Sequence, residues 1–114
     1  MSQQTLFEQN RASGTVNVER VVLYALGDFQ MRGKLLSERE LPLDRLRGAL
    51  RRAAEKLAVE ELSDELAATT LDALGARVRR VPSFFAKHPY RVTVPASLAT
   101  RARDFVQALA GRTE

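Results

Sequence analysis

Residues 74–95, LGARVRRVPSFFAKHPYRVTVP, decide the fold, because they read as a helix end followed by two extended segments. Gly75 follows an apolar helical pattern, at the position where glycine commonly terminates a helix. The segment 91–94 alternates polar and β-branched residues at the strand period, and the segment 78–81 has valine on both sides of an arginine pair. Residues 86–89, AKHP, are typical of a turn. The stretch therefore predicts a basic β-hairpin.

An isolated hairpin is barely stable in water, so this one must pack against helices. Apolar residues at helical spacing predict four of them. They are expected near residues 18–32, from Pro42 to Leu57, from Ser63 to Leu74, and from Pro95 or Ser97 onward. Asn17 is the predicted N-cap of the first helix, and Lys34–Ser37 forms either a small strand or a loop. Gly27 costs a helix about 1 kcal/mol against alanine, which predicts close helix packing or a kink there.

The chain of 114 residues suits one compact domain with an additional arm or helix. Residues 1–16 are polar and rich in Gln, Ser and Asn, and we predict a mobile N-terminal arm there. The main domain is expected over residues 17–95. Residues 96–114 are expected to form a C-terminal helix that serves as a dimerisation element.

The predicted order of helix, connector, helix, helix, hairpin and helix resembles that of the winged helix-turn-helix superfamily. Residues 21–40, VVLYALGDFQMRGKLLSERE, resemble the opening helix and connector of such domains. Residues 71–82, LDALGARVRRVP, resemble the end of a recognition helix that continues into the wing. The resemblance implies a mainly α protein with a small β-hairpin (α+β), with a winged-helix-like core and a C-terminal helix. It also implies that the chain binds nucleic acid, with duplex DNA as the expected ligand.

Composition excludes several kinds of chemistry. The chain has no cysteine, so disulfides, zinc–thiolate sites and cysteine nucleophiles are absent. Its one histidine, His88, has no clustered partner for a metal site or for general base catalysis, and no phosphate-binding glycine loop occurs. We therefore expect no enzymatic activity, no catalytic residues, no metal and no cofactor. No apolar run is long enough to span a bilayer, and the first residues do not resemble a secretory signal, so we expect a cytoplasmic protein.

Charge is sorted along the chain, whose formal net charge is +4. The second helix and the hairpin region are basic, whereas the stretch between them is acidic and includes Asp64 and Glu65. In a winged helix that reads DNA, the third helix enters the major groove. The two carboxylates would be repelled by phosphates there, so the wing and second helix are the better candidates for contact. The predicted nucleic-acid-binding residues are Arg47, Arg51, Arg77, Arg79, Arg80, Lys87 and Arg91.

Two other interpretations of the same charges remain open. The hairpin arginines are also typical of a solvated strand edge, where positive charge discourages aggregation. Alternatively, the acidic stretch of one copy faces the basic stretch of another copy or of an acidic protein surface. Phe84 and Phe85 point to opposite faces of a strand, so one of them is expected to be exposed as a contact residue.

The alternative function is therefore a protein–protein interaction module, an adaptor or a self-associating structural subunit. Its interface would be the apolar stripe on the final helix, which would pack against another copy of the chain. The predicted interface residues are Leu98, Phe105, Val106 and Leu109.

Overall fold

The computed structural model describes residues 2–82 and 90–112. The helices are α1 (Ser2–Met31), α2 (Arg47–Lys56), α3 (Asp64–Leu74) and α4 (Ala96–Arg112), and the strands are β1 (Glu40–Pro42), β2 (Arg77–Arg80) and β3 (Tyr90–Thr93). The protein is mainly helical with a small antiparallel sheet, which confirms the predicted α+β fold class. The predicted turn at 86–89, with Lys87 and His88, and the pair Phe84–Phe85 lie outside the described residues.

The sheet has three strands in the order β1-β3-β2, and both pairings are antiparallel. Its two longer strands confirm the pairing of the predicted hairpin, with Val78 opposite Val92. The sequence did not predict the third strand, β1, at residues 40–42. It lies just after the connector Lys34–Ser37, of which Ser37 forms a single parallel bridge with Val94. Three residues are too few for an alternating pattern to be recognised in sequence.

The first helix begins at Ser2, so the start predicted near residue 18 is wrong. Asn17 lies inside α1 and is not its N-cap. The segment 1–16, predicted as an arm, is helical from Ser2 onward, and its mobility stays a prediction. Helix α1 thus connects this segment to the main domain without a break, although the two were predicted to be separate.

The ends of α3 follow the predicted local signals. The Ser63 hydroxyl accepts a hydrogen bond from the backbone N–H of Leu66 at 3.1 Å, as an N-cap does. Gly75 ends the helix with φ of 111°, a left-handed conformation that favours glycine. One turn of 3-10 helix, Leu43–Leu46, follows Pro42 and leads directly into α2 at Arg47.

The core is built around α1, whose buried face includes Val21, Val22, Ala25 and Leu26. Helix α1 contacts all three other helices, and its contact with α4 is the most extensive. Val92 and Val94 bring the sheet into the same core. The three-stranded sheet thus packs beside the helices, and the C-terminal helix α4 packs against α1.

Gly27 marks the closest approach of α1 and α4. A methyl group at this position would overlap the Val106 side chain and lie 2.5 Å from the carbonyl oxygen of Ala102. The Gln30 side-chain amide, one turn away, donates to the carbonyl oxygen of Ala99 at 2.9 Å. Close helix packing is therefore the reason for a glycine inside α1.

Asp28 links α1 to α2. Its carboxylate accepts a hydrogen bond from Arg52 Nε at 2.9 Å, and Arg52 Nη2 lies 2.7 Å from the same oxygen. Arg32 Nε approaches it from within α1 at 3.2 Å. The Asp28 side chain is only 16% exposed, so the two guanidinium groups balance a carboxylate that is largely removed from water.

Among the described residues, no helix combines the length and the apolar character that a membrane-crossing segment needs.

Candidate nucleic-acid interface

The strand register places three arginines on one face of the sheet. Side chains alternate between the two faces of a strand, and Arg79 pairs directly with Arg91 across the β2–β3 ladder. Arg77 lies two residues before Arg79, opposite Thr93, so it shares that face. Arg77 and Arg79 are exposed and Arg91 is half-buried. We call this surface the outer face of the sheet, defined by Arg77, Arg79, Arg91, Thr93 and Glu40.

Glu40 is the acidic member of the outer face, and it binds Arg79. The Arg79 guanidinium donates two hydrogen bonds to the carboxylate, from Nε to Oε2 at 2.8 Å and from Nη2 to Oε1 at 2.9 Å. These bonds lower the pKa of Glu40, and the charges of Arg79 and Arg91 act in the same direction. The same bonds raise the pKa of Arg79. The positive charge of Arg79 is thus compensated within the sheet, by a carboxylate on which Arg91 also acts.

Arg80 does not belong to the outer face. It follows Arg79 in the strand, so its side chain leaves the sheet on the opposite side, where Tyr90 is its partner in the ladder. The Arg80 guanidinium carbon lies 5.6 Å from the centre of the Tyr90 ring, a cation–π distance. The side chains of Arg79 and Arg80 therefore lie on opposite faces of the sheet, although the two residues are adjacent in sequence.

The base of the hairpin has a different electrostatic character. Here a groove of about 380 Å³ lies between the end of α3 and the start of β2, and Glu38, Asp72 and Arg77 are among the residues that line it. The Glu38 carboxylate also accepts a hydrogen bond from the backbone N–H of Ala96 at 3.0 Å, at the start of α4. Two carboxylates, those of Glu38 and Asp72, therefore line the same groove as Arg77 at the base of the hairpin.

The exposed side of α3 is not suited to phosphate contact. The helix sequence, DELAATTLDAL, contains no lysine or arginine. Its exposed residues include Glu65, Thr69 and Asp72. Negative side chains on this surface repel the phosphate backbone, so the structure gives no support to major-groove binding through α3.

Two α2 arginines form ion pairs with carboxylates just before α3 and at its first residue. Arg47 forms ion pairs with Glu61, at 3.3 Å, and with Asp64, and Arg51 lies 3.7 Å from Glu61. Both guanidinium groups therefore face carboxylates of the same chain, and the use of Arg47 and Arg51 as phosphate ligands stays a prediction.

The predicted interface on α4 is largely internal to the chain. Leu98 is 3% exposed and belongs to the core, so it cannot contact another copy. Val106 packs at Gly27, and Phe105 packs against the core with the Arg20 guanidinium 5.9 Å from its ring centre. Leu109 is half-buried. Part of the apolar stripe of α4 therefore packs within the chain, and its contact with another copy stays a prediction.

Glu40 carries no sequence signal that marks it as part of the site. Its strand is three residues long, and its contact with Arg79 joins positions 39 residues apart in sequence. Over residues 2–82 and 90–112, the side chains that are described form no cluster able to hold a metal ion. Lys87, the remaining predicted contact, lies outside these ranges.

Comparison of the chain with protein-family models, with curated proteins and with solved structures gave no match. The winged-helix resemblance therefore describes the arrangement of the elements, and membership of that superfamily stays a prediction.

Proposed function

We propose that the chain is a non-catalytic nucleic-acid-binding domain that contacts phosphates through the outer face of its sheet. The observation that carries the proposal is the register that sets Arg77, Arg79 and Arg91 side by side on a solvent-facing surface with one carboxylate, Glu40. Guanidinium groups bind phosphate oxygens with well-matched geometry. The element order supports the proposal, because β2 and β3 occupy the place of the wing in a winged helix-turn-helix domain.

The mode of contact differs from that of a helix in the major groove. Phosphate contacts fix the position of a protein on a duplex and carry no direct sequence information. The acidic, cation-free surface of α3 leaves the outer face as the source of affinity. We therefore propose duplex DNA as the ligand, bound with little base preference, in a transcriptional regulator or in an accessory subunit of a nucleic-acid complex.

Replacement of two outer-face arginines tests the proposal. The variant Arg77→Gln/Arg91→Gln keeps both partners of the Arg79–Glu40 pair, and circular dichroism checks that it is folded. Affinity for duplexes of unrelated sequence should fall by about tenfold or more at low salt, because each lost phosphate contact removes counterion release. The slope of log affinity against log salt should decrease in magnitude by about 2. Fluorescence anisotropy at several salt concentrations measures both quantities.

A matched control removes the same charge elsewhere. Arg45 and Lys56 are exposed and lie outside the sheet. The variant Arg45→Gln/Lys56→Gln should keep most of the affinity. Equal losses in the two variants would show that net charge, and not the outer face, governs binding. No loss in the outer-face variant would overturn the proposal.

A second candidate function is a protein-interaction module, and a specific observation favours it. The ion pairs of Arg47 and Arg51 with Glu61 and Asp64 divide the basic surfaces of the chain, since acidic residues stand next to α2. The exposed acids of α3 suit a basic protein surface better than a phosphate backbone. The test is whether charge reversal on this acidic surface abolishes association with a protein while duplex binding persists.

A further inference from the structure

Three large apolar side chains are exposed on the described part of the chain. They are Met31 at 57%, Leu35 at 68% and Leu66 at 43% exposure. Single exposed apolar residues are ordinary on a protein surface, but these three lie in two grooves whose charged residues have opposite sign.

The first groove, here called the basic groove, lies where α1 ends and the chain turns toward β1. Met31 and Leu35 line it together with Lys34 and Arg39, and Arg103 reaches it from α4. Its volume is about 680 Å³, and all three charged residues that line it are positive. An apolar floor with cations around it fits an apolar side chain flanked by carboxylates.

The second groove, here called the acidic groove, lies between α1 and the start of α3. Leu66 lines it with Val18 and Val59, and the charged residues in its lining are Glu60 and Glu61. Its volume is about 280 Å³. Glu65, exposed and adjacent to Leu66 in sequence, extends the negative surface. Glu61 already pairs with Arg47 and Arg51, so Glu60 and Glu65 are the carboxylates best placed for another partner.

The two grooves are too far apart to meet within one molecule. Val18 lines the acidic groove and Met31 lines the basic groove, and both belong to α1. Thirteen residues separate them, which corresponds to about 20 Å along an α-helix. Complementary surfaces about 20 Å apart on one helix cannot contact each other within one copy, but they can do so between two copies.

We propose that a second copy of this chain docks its acidic groove, with Leu66 at the centre, onto the basic groove of the first. The contact is heterologous, so an open assembly always keeps one free groove of each kind and grows head to tail until a ring closes. This names the partner for the second candidate function, and it does not depend on nucleic-acid binding. The proposed interface consists of the two grooves and does not use the apolar stripe of α4.

Charge-reversal variants and their mixture test the docking. The basic-groove variant is Lys34→Glu/Arg103→Glu, and the acidic-groove variant is Glu60→Lys/Glu65→Lys. Sedimentation velocity of each protein alone, from about 1 to 100 μM at low ionic strength, should show association for the parent chain and monomers for both variants. An equimolar mixture of the two variants should associate again, because each reversed groove then faces an opposite charge.

Controls separate docking from general effects of charge and from misfolding. The variant Arg45→Glu/Arg77→Glu reverses the same number of cations outside both grooves and should associate like the parent. Circular dichroism and thermal melting should show that every variant is folded. Leu35→Ser, which removes an apolar contact and no charge, should weaken association, and added salt should weaken it in the parent.

Several outcomes would overturn the proposal. A monomeric parent over the whole range excludes self-docking, and so does association that survives both double variants. A mixture that stays monomeric excludes the pairing of these two grooves, and loss in one variant alone points to a different partner surface. Because the measurement contains no nucleic acid, its failure leaves the outer-face proposal unaffected. A duplex titration of the monomeric variants tests that proposal separately.

Discussion

Arg79 reaches across a whole strand to bind Glu40. The two residues belong to β2 and β1, which do not touch because β3 lies between them. The two hydrogen bonds measure 2.8 Å and 2.9 Å. They cross β3 between Arg91, which is opposite Arg79, and Thr93, which is opposite Glu40. The pair fixes the Arg79 guanidinium over the sheet and lowers the positive charge of the outer face.

Removal of the Glu40 carboxylate should therefore strengthen nucleic-acid binding. Glu40→Gln releases Arg79 and removes a negative charge from the phosphate-facing surface. We expect affinity for any duplex to rise by about threefold to tenfold at low salt, with a steeper salt dependence. Fluorescence anisotropy measures the change. Glu55→Gln, at an exposed position on α2, is the control and should have a smaller effect. Unchanged affinity in Glu40→Gln would indicate that duplex does not meet the outer face.

The Glu40–Arg79 pair also predicts a pH dependence of stability. The pKa of Glu40 is lowered in the folded chain, chiefly by the hydrogen bonds from Arg79. The pair therefore contributes stability above the ordinary glutamate pKa of about 4.3, and this contribution is lost as pH falls through the lowered value. The difference in urea midpoint between the parent and Glu40→Gln should be constant near neutral pH and vanish in acid.

An NMR titration of the Glu40 carboxyl carbon checks the cause of that dependence. Its pKa should lie below the usual range in the parent and return toward it in Arg79→Gln. Equal pKa values in the two proteins would show that the pair does not form in solution.

Alanine substitution at two glycines should have opposite effects on stability. Gly27→Ala places a methyl group against the Ala102 carbonyl oxygen, which is backbone and cannot move away cheaply. We expect a loss of about 1–3 kcal/mol in the free energy of unfolding, even after the gain in helix propensity. Gly48→Ala meets only the flexible end of Arg52, at 3.4 Å, and should stabilise α2 by up to about 1 kcal/mol. Urea unfolding of both variants measures the two signs, and a stabilised Gly27→Ala would contradict the close crossing of α1 and α4.

The tether between α1 and α2 predicts a further stability change. Asp28→Asn keeps the shape of the side chain but removes the charge that faces Arg32 and Arg52. The free energy of unfolding should fall by about 1–2 kcal/mol, since hydrogen bonds to charged groups are stronger than neutral ones. Asp104→Asn, at an exposed position on α4, should change it by less than about 0.5 kcal/mol. Thermal melting compares them, and equal midpoints for Asp28→Asn and the parent would show that the tether is not stabilising.

The elements that sequence predicted well have local causes. Ser63 caps α3 through a neighbour three residues away, and Gly75 ends the same helix through its own left-handed backbone. The alternation in the segment 91–94 set the β3 register, and with it the faces on which the arginines lie. The glycine inside α1 correctly indicated a close helix contact.

Contacts between distant segments could not be read from the sequence. Glu61 and Asp64 pair with Arg47, which was predicted to bind phosphate, and this pairing has no local signal. The contact of α4 with α1 likewise has no local signal that distinguishes it from the predicted contact with another copy. An apolar stripe or a charge has the same sequence signature whether its partner is in the same chain or another.

Sequence alone determined the order of most helices and strands, because caps, turns and periodicity act over a few neighbouring residues. Tertiary structure decided which charges remain available, because Glu40 meets Arg79 only when a third strand joins the sheet. It also decided that the exposed apolar residues lie in two grooves of opposite charge, since Arg103 of α4 reaches the basic groove only after the chain has folded back along α1. Electrostatic partnership depends on distance in space, and the fold sets that distance.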